Sequence, residues 1–134
     1  YGFIHHDLKP ENVIIDSFED AVLIDFDSAR PLVTVGRKVS PAKAHADRIG
    51  ERTGIKGTRA YAPPEAKLFP GSCDAAVDLY SFGRMFLEIA ALEPHSFSPA
   101  FYEVMRRCTR IESASRIESA AGLREALINL MGEG

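Results

Sequence analysis

From about Ala75 to Leu92 the chain carries its longest helical pattern, and that pattern is apolar on nearly every side. Val77, Leu79, Tyr80, Phe82, Met85, Phe86, Leu87 and Ile89 cover most of the circumference, leaving Asp78, Ser81, Arg84 and Glu88 as a narrow polar stripe. A helix of this kind has to be surrounded by the rest of its domain. It is expected to be the post on which the fold is built. Asp78, near its start, is then a costly burial unless it is hydrogen-bonded. Capping the helix is one use for that carboxylate. Further along, Phe101, Val104, Met105 and Cys108 mark a helical face at i, i+3, i+4 and i+7. Ser115 and Glu118 have capping-box spacing ahead of a last helix bearing Ile117, Ala120, Ala121, Leu127, Ile128 and Met131.

The chemistry is concentrated at the other end, in His5-His6-Asp7-Leu8-Lys9-Pro10-Glu11-Asn12. A carboxylate and a carboxamide five residues apart, on a loop stiffened by Pro10, can converge on one small volume. Alone, such a pair often does no more than satisfy its own backbone. Two short aliphatic runs follow, Val13-Ile14-Ile15 and Ala21-Val22-Leu23-Ile24, and they predict a hairpin that returns Asp25 to the side of Asn12. Asp7, Lys9, Asn12 and Asp25 would then form a set suited to magnesium and phosphate.

At 134 residues the chain fits one domain, and its 46% hydrophobic and 26% charged residues are those of a globular protein rather than a disordered one. No membrane span is expected, because Asp78, Ser81, Arg84 and Glu88 interrupt the best apolar run, and no signal peptide is recognised. A net charge of −3 argues against nucleic acid as a partner. Cys73 and Cys108 are too few and too isolated for a disulfide framework or a zinc site, so an intracellular location, cytoplasmic or nuclear, is expected. The sequence carries no signal of oligomeric state. It begins at Tyr1, already at the loop, and reads as a piece of something longer.

The loop resembles the catalytic loop of protein kinases, H-R-D-L-x-x-x-N, and Asp25-Phe26-Asp27 resembles their D-F-G triplet. The resemblance extends over nearly the whole chain. Gly57-Thr58-Arg59-Ala60-Tyr61-Ala62-Pro63-Pro64-Glu65 is similar to the segment ending in A-P-E, and Asp78-Leu79-Tyr80-Ser81-Phe82-Gly83 to the start of the family's central helix. Arg116 stands where the family has its late arginine. The implied fold is protein-kinase-like, α+β overall, with residues 1–134 being the mainly α-helical C-lobe with a short β-hairpin and the N-lobe absent from this chain. Lys9, two residues after Asp7, and Thr58 both resemble the Ser/Thr kinases.

The resemblance implies that Asp7 accepts or orients the proton of a protein Ser/Thr hydroxyl, that Lys9 meets the transferred phosphoryl group of ATP, and that Asn12 and Asp25 hold Mg2+. His5, Thr58, Glu65, Asp78 and Arg116 are the implied structural supports, with Glu65 paired to Arg116 and Asp78 holding the loop backbone. No G-x-G-x-x-G and no strand lysine occur, so the chain by itself is expected to bind ATP weakly and to be inactive without an N-lobe. A pseudokinase or binding module of kinase fold is the alternative, followed by a small-molecule phosphotransferase of kinase-like fold.

Three departures bear on these readings. Glu93 to Pro99 is all that separates the post from the next helix, where the family has a further helix and a long connection. Asp27 replaces the family's Gly and adds a carboxylate beside the metal position. Residues 28–57, rich in Gly, Pro and basic side chains, read as a mobile loop, and His6 replaces the Arg that clasps a phosphate on it. An imidazole lacks the bidentate fork. Activity of the full-length protein is therefore expected not to depend on phosphorylation of that loop, and phosphatase treatment that abolished activity would contradict this.

Overall fold

The structure is a computed structural model and describes residues 2–31, 60–68 and 74–132. In chain order these form β1 (Phe3–Ile4), a 3-10 turn (Pro10–Asn12), β2 (Val13–Ile15), β3 (Ala21–Leu23), β4 (Arg30–Pro31), α1 (Pro64–Leu68), α2 (Ala76–Leu92), α3 (Pro99–Cys108), a 3-10 turn (Ser113–Ser115) and α4 (Ala120–Gly132). The expected hairpin is β2 and β3, antiparallel, pairing Val13 with Leu23 and Ile15 with Ala21. Its five-residue connection is held by Asp16, whose Oδ1 accepts the N–H groups of Phe18 (2.8 Å) and Asp20 (3.0 Å). A second, unforeseen pair joins β1 to β4, Ile4 opposite Arg30. Two residues on either side are too short for any periodicity to register.

The core is helical. Leu79 of α2, Val104, Met105 and Cys108 of α3, Ile117 ahead of α4 and Leu123 within it are buried against one another, with Phe82, Phe86, Phe101 and Leu127 packed around them. Burying each of the larger aliphatic side chains stabilises the fold by about 1.5–3 kcal/mol. The face marked by Val104, Met105 and Cys108 therefore lies where its spacing places it. Ser98 caps α3 by accepting the Phe101 N–H (3.2 Å), with Pro99 at the first helical position. The Tyr102 hydroxyl donates to the Ala90 carbonyl (3.1 Å) and ties α3 to the end of α2 across the short connection.

Two sequence expectations are corrected. The post is buried along its first half, through Val77, Leu79, Ser81, Gly83 and Met85, but it emerges toward its C-terminus, where Leu92 is 79% exposed and Ile89 38%. Ser81, assigned to the polar stripe, is one of its buried residues because its hydroxyl has carbonyl partners. The capping box at Ser115 and Glu118 does not form. α4 begins at Ala120, and the Ser119 hydroxyl accepts the Gly122 N–H (3.0 Å) instead. Ser115 ends a 3-10 turn, and Arg116 follows in extended backbone that lets its side chain reach α1. Among the described residues no helix is long and apolar enough to cross a membrane.

Gly83 of α2 faces the C-terminal end of α3 at close range. A Cβ there would lie 2.7 Å from the Cys108 Cβ, 2.8 Å from the Thr109 Cγ2 and 2.9 Å from the Met105 carbonyl oxygen. Alanine is the better helix former by about 1 kcal/mol, whereas overpacking costs about 1–3 kcal/mol, so the contact decides the sign. Gly83→Ala is expected to lower the unfolding free energy, measured as a shift of the urea midpoint at constant slope. A midpoint at or above that of the parent would show that the helices separate freely.

Candidate active site

Asp78 organises the loop from below. Its Oδ2 accepts the His5 N–H (2.6 Å) and its Oδ1 the His6 N–H (3.0 Å), so consecutive backbone donors converge on one carboxylate. The capping role is not the one realised: Ala76 N–H is taken by Asp74 Oδ1 (2.8 Å). Convergence of neighbouring N–H groups requires an unusual backbone, and His6 has φ 67°. That conformation costs about 1 kcal/mol or more in a non-glycine residue, and two charge-assisted bonds offset it.

His5 joins the loop to the hairpin. Its Nδ1 accepts the Asp7 N–H (3.2 Å), which fixes the proton on Nε2, and Nε2 donates to the Ile24 carbonyl (3.0 Å). The ring is buried and meets the Phe26 ring edge-on at 4.9 Å between centroids. Asn12, also buried, donates from Nδ2 to the Asp7 carbonyl (2.8 Å) and to Asp7 Oδ2 (3.2 Å). Lys9 Nζ lies 3.3 Å from the same Asp7 oxygen. Ile24 N–H donates to the Asn12 carbonyl (2.9 Å), so Asp25 follows a residue bonded directly to the loop. Asp25 is exposed, has φ 60°, and its Oδ1 accepts the Asp27 N–H at 3.4 Å.

Asp7, Lys9 and Asn12 are thus in mutual contact, and the hairpin bonds Ile24, the residue before Asp25, to the loop. The donors are hard oxygens: with Nδ2 turned to Asp7, Asn12 keeps its amide oxygen for a cation, and Asp25 adds a carboxylate. Two protein ligands completed by phosphates and water fit magnesium, which keeps much of its own shell. Among the described residues there is no group of three or more His, Cys, Asp and Glu side chains that could hold a metal by themselves.

The anchor is equally defined. Arg116, whose side chain is wholly buried, donates from Nη1 and Nη2 to the two oxygens of Glu65, the second at 3.0 Å. Its remaining donors reach the carbonyls of Ala76 (3.0 Å), Arg110 (2.7 Å) and Ile111 (3.0 Å), and its guanidinium lies 4.9 Å from the centre of the Tyr80 ring. Burial alone pushes the Glu65 carboxyl upward, but the hydrogen bond and charge of Arg116, with a backbone hydrogen bond, hold it below the ordinary carboxylate range. Breaking one half of such a pair costs about 3–5 kcal/mol. Thr58 lies outside the described residues, as does most of the 28–57 loop.

Sequence reading missed Tyr61. Its hydroxyl donates a short hydrogen bond to Glu88 Oε2, and its carbonyl accepts from the Ser81 hydroxyl (2.9 Å). Ser81 and Glu88 are seven apart on the polar stripe, and that shared face was the available signal. A cavity of about 790 Å3 lies elsewhere among the described residues: an apolar groove among Phe3, Leu79, Phe82, Leu127 and Ile128, with His5 and Asp78 in its wall. It lacks the polar set that the loop carries.

With this geometry in place the comparisons are specific. The family model described as protein kinase domain matches residues 1–132. The chain belongs to the protein kinase domain family. Among curated proteins it is 36% identical over 102 residues to the sporulation protein kinase mde3 of Schizosaccharomyces pombe, covering 70% of this chain and 16% of that protein. It is 33% identical over 94 residues to the serine/threonine-protein kinase PknB of Mycolicibacterium smegmatis (70% and 13%), and 27% over 113 residues to the serine/threonine-protein kinase PKH1 of Saccharomyces cerevisiae (84% and 15%). The chain therefore spans about one-sixth or less of the length of these relatives. The mainly helical build with a short antiparallel hairpin is that of a kinase C-lobe. Kinases of this family generally use ATP and magnesium.

The kinase arginine that His6 replaces leaves a testable trace. Burial depresses the His6 imidazole below its ordinary value; Asp78 opposes this, and Arg30 and His5 add to it. A depressed histidine favours the folded state fully above pH of about 6.5 and loses that contribution as pH falls below it, by at most about 1.4 kcal/mol per pH unit. Glu65, also depressed, titrates below pH of about 4.5, so the two windows are separate. Between pH 7 and 5 the urea midpoint of the parent should fall more steeply than that of His6→Asn, a residue that tolerates positive φ. Identical slopes would place His6 in solvent.

Proposed function

We propose that this chain is the C-terminal lobe of a Ser/Thr protein kinase domain, supplying the catalytic base and metal ligands for transfer of the ATP γ-phosphate to a Ser or Thr hydroxyl of a protein. The observation that carries the reading is the contact set Asp7–Lys9–Asn12, carried on a loop whose backbone is fixed by Asp78. Oδ2 of Asp7 is engaged by Lys9 and Asn12, which leaves Oδ1 to accept the proton of the substrate hydroxyl. Lys9 lies beside the line of attack and offsets charge on the phosphoryl oxygens. Asn12 and Asp25 would hold magnesium, which neutralises charge on the β- and γ-phosphate oxygens when bound. His5, Asp78, Glu65 and Arg116 keep these groups in register without touching substrate.

The relatives named above are all protein kinases, two of them named serine/threonine kinases, which favours this reading over a small-molecule phosphotransferase. Exposed apolar side chains on the hairpin, Ile14 at 48% and Val22 at 44%, support an upper lobe seated there in the natural protein. Asp7→Asn keeps the size and the contacts to Lys9 and Asn12 but removes the base. In the full-length protein it should reduce phosphate transfer by roughly 10²–10⁴-fold, and Asp25→Ala should do so through the metal. Equal phosphate incorporation by the parent and both variants would remove the kinase reading and leave a binding module of the same fold.

A further inference from the structure

Asp27 is the departure from the family pattern that lies closest in sequence to a metal ligand. The residues from Asp25 to Ala29 run between two fixed points. On one side Ile24 donates its N–H to the Asn12 carbonyl (2.9 Å) and accepts from the His5 ring (3.0 Å). On the other, Arg30 is paired with Ile4 across β4 and β1. Where the Asp25 carboxylate is held depends on how freely the chain turns between them.

Inside the segment the Ala29 N–H donates to the Phe26 carbonyl (3.0 Å), closing a turn with Asp27 and Ser28 at its centre. The Asp27 N–H reaches the Asp25 Oδ1 at 3.4 Å, and the Phe26 ring meets His5 edge-on. Asp25 carries the unusual backbone, with φ 60°; the other described non-glycine residues at positive φ are His6 and Glu19, so Asp27 lies on the ordinary side. The freedom that a glycine brings to position 27 is therefore not used. Glycine there would add only competing arrangements. A residue with a Cβ at a compatible φ removes them, which changes the ratio of open to ordered segment by about 2–5-fold. The effect falls on Asp25, whose left-handed backbone persists only while its surroundings hold it.

We infer that Asp27 is a positioning residue for Asp25: occupying a turn that glycine would loosen, it keeps the metal-ligand segment ordered before any cation arrives. This rests on the kinase reading above, in which Asp25 holds magnesium. Asp27 acts through the backbone it restricts and not through its own carboxylate, which is exposed. Apparent affinity scales with the fraction of protein already in the competent arrangement, so ordering the segment in advance tightens metal binding.

The test compares Asp27→Gly and Asp27→Ala with the parent in the full-length protein. Both substitutions remove the carboxylate, and only the first restores the freedom of a glycine. Without metal, deuterium uptake by the peptide spanning residues 25–31, normalised to the same peptide free in solution, should rise about 2–5-fold in Asp27→Gly and stay at the parent level in Asp27→Ala. Mn2+ is titrated in the presence of a non-hydrolysable ATP analogue and followed by water-proton relaxation. It should bind Asp27→Gly more weakly, by at most the same factor, and Asp27→Ala as tightly as the parent. Uptake or Mn2+ affinity in Asp27→Gly equal to that of the parent would overturn the proposal. So would an Asp27→Ala as weak as Asp27→Gly, because the carboxylate itself would then be acting. Uptake that rises across the core peptides as well, with a fall in Tm, would also overturn it. Asp25→Ala separates the two readings. Mn2+ binding that survives that substitution removes Asp25 as a ligand, and this proposal with it. Binding that is lost in Asp25→Ala while Asp27→Gly is indifferent removes the proposal alone.

Discussion

One carboxylate sets the geometry of the site. Asp78 stands in the first turn of α2 and spends both oxygens on the N–H groups of His5 and His6, so the loop is hung from the buried first half of that helix. The carboxylate is partly buried, and charge-assisted bonds to two backbone donors offset what it loses in hydration. The direction of dependence follows. Release of those donors would free His6 from its left-handed conformation, turn the His5 ring, and uncouple Asp7 from the hairpin in one step. The polar network of the site is therefore a single unit rather than a set of separable contacts.

His5 carries that constraint outward. A neutral imidazole with one acceptor and one donor nitrogen is matched to an N–H on the loop and a carbonyl on the hairpin. Through Ile24 it fixes where β3 ends, and so where Asp25 begins. The same ring packs edge-on to Phe26, the residue after Asp25.

Much of this was legible in the sequence because the relevant signals are local or strongly periodic. Val13–Ile15 and Ala21–Leu23 read as a hairpin, Phe101 to Cys108 as one face, and Asp7, Asn12, Glu65 and Arg116 by their motif contexts. The failures have physical causes. The Ser115 box lost because Arg116 must leave the helical path to reach Glu65, a contact 51 residues away. The exposed end of α2 was hidden by composition, since Ile89 and Leu92 are as apolar as the residues that are covered. Ser81 and Tyr61 went unseen because a hydroxyl declares its partner only when the fold brings a carbonyl to it.

The Arg116 side chain has a wider effect than the pair it makes with Glu65. One guanidinium spends its donors on α1, the first residue of α2, and two carbonyls of the stretch leading toward α4. These segments are scattered along the chain and share few other contacts. With a common rivet they cannot fray one at a time, so the anchor and the C-terminal helices open as one cooperative unit. A five-residue helix that could not persist alone is thereby held to the core.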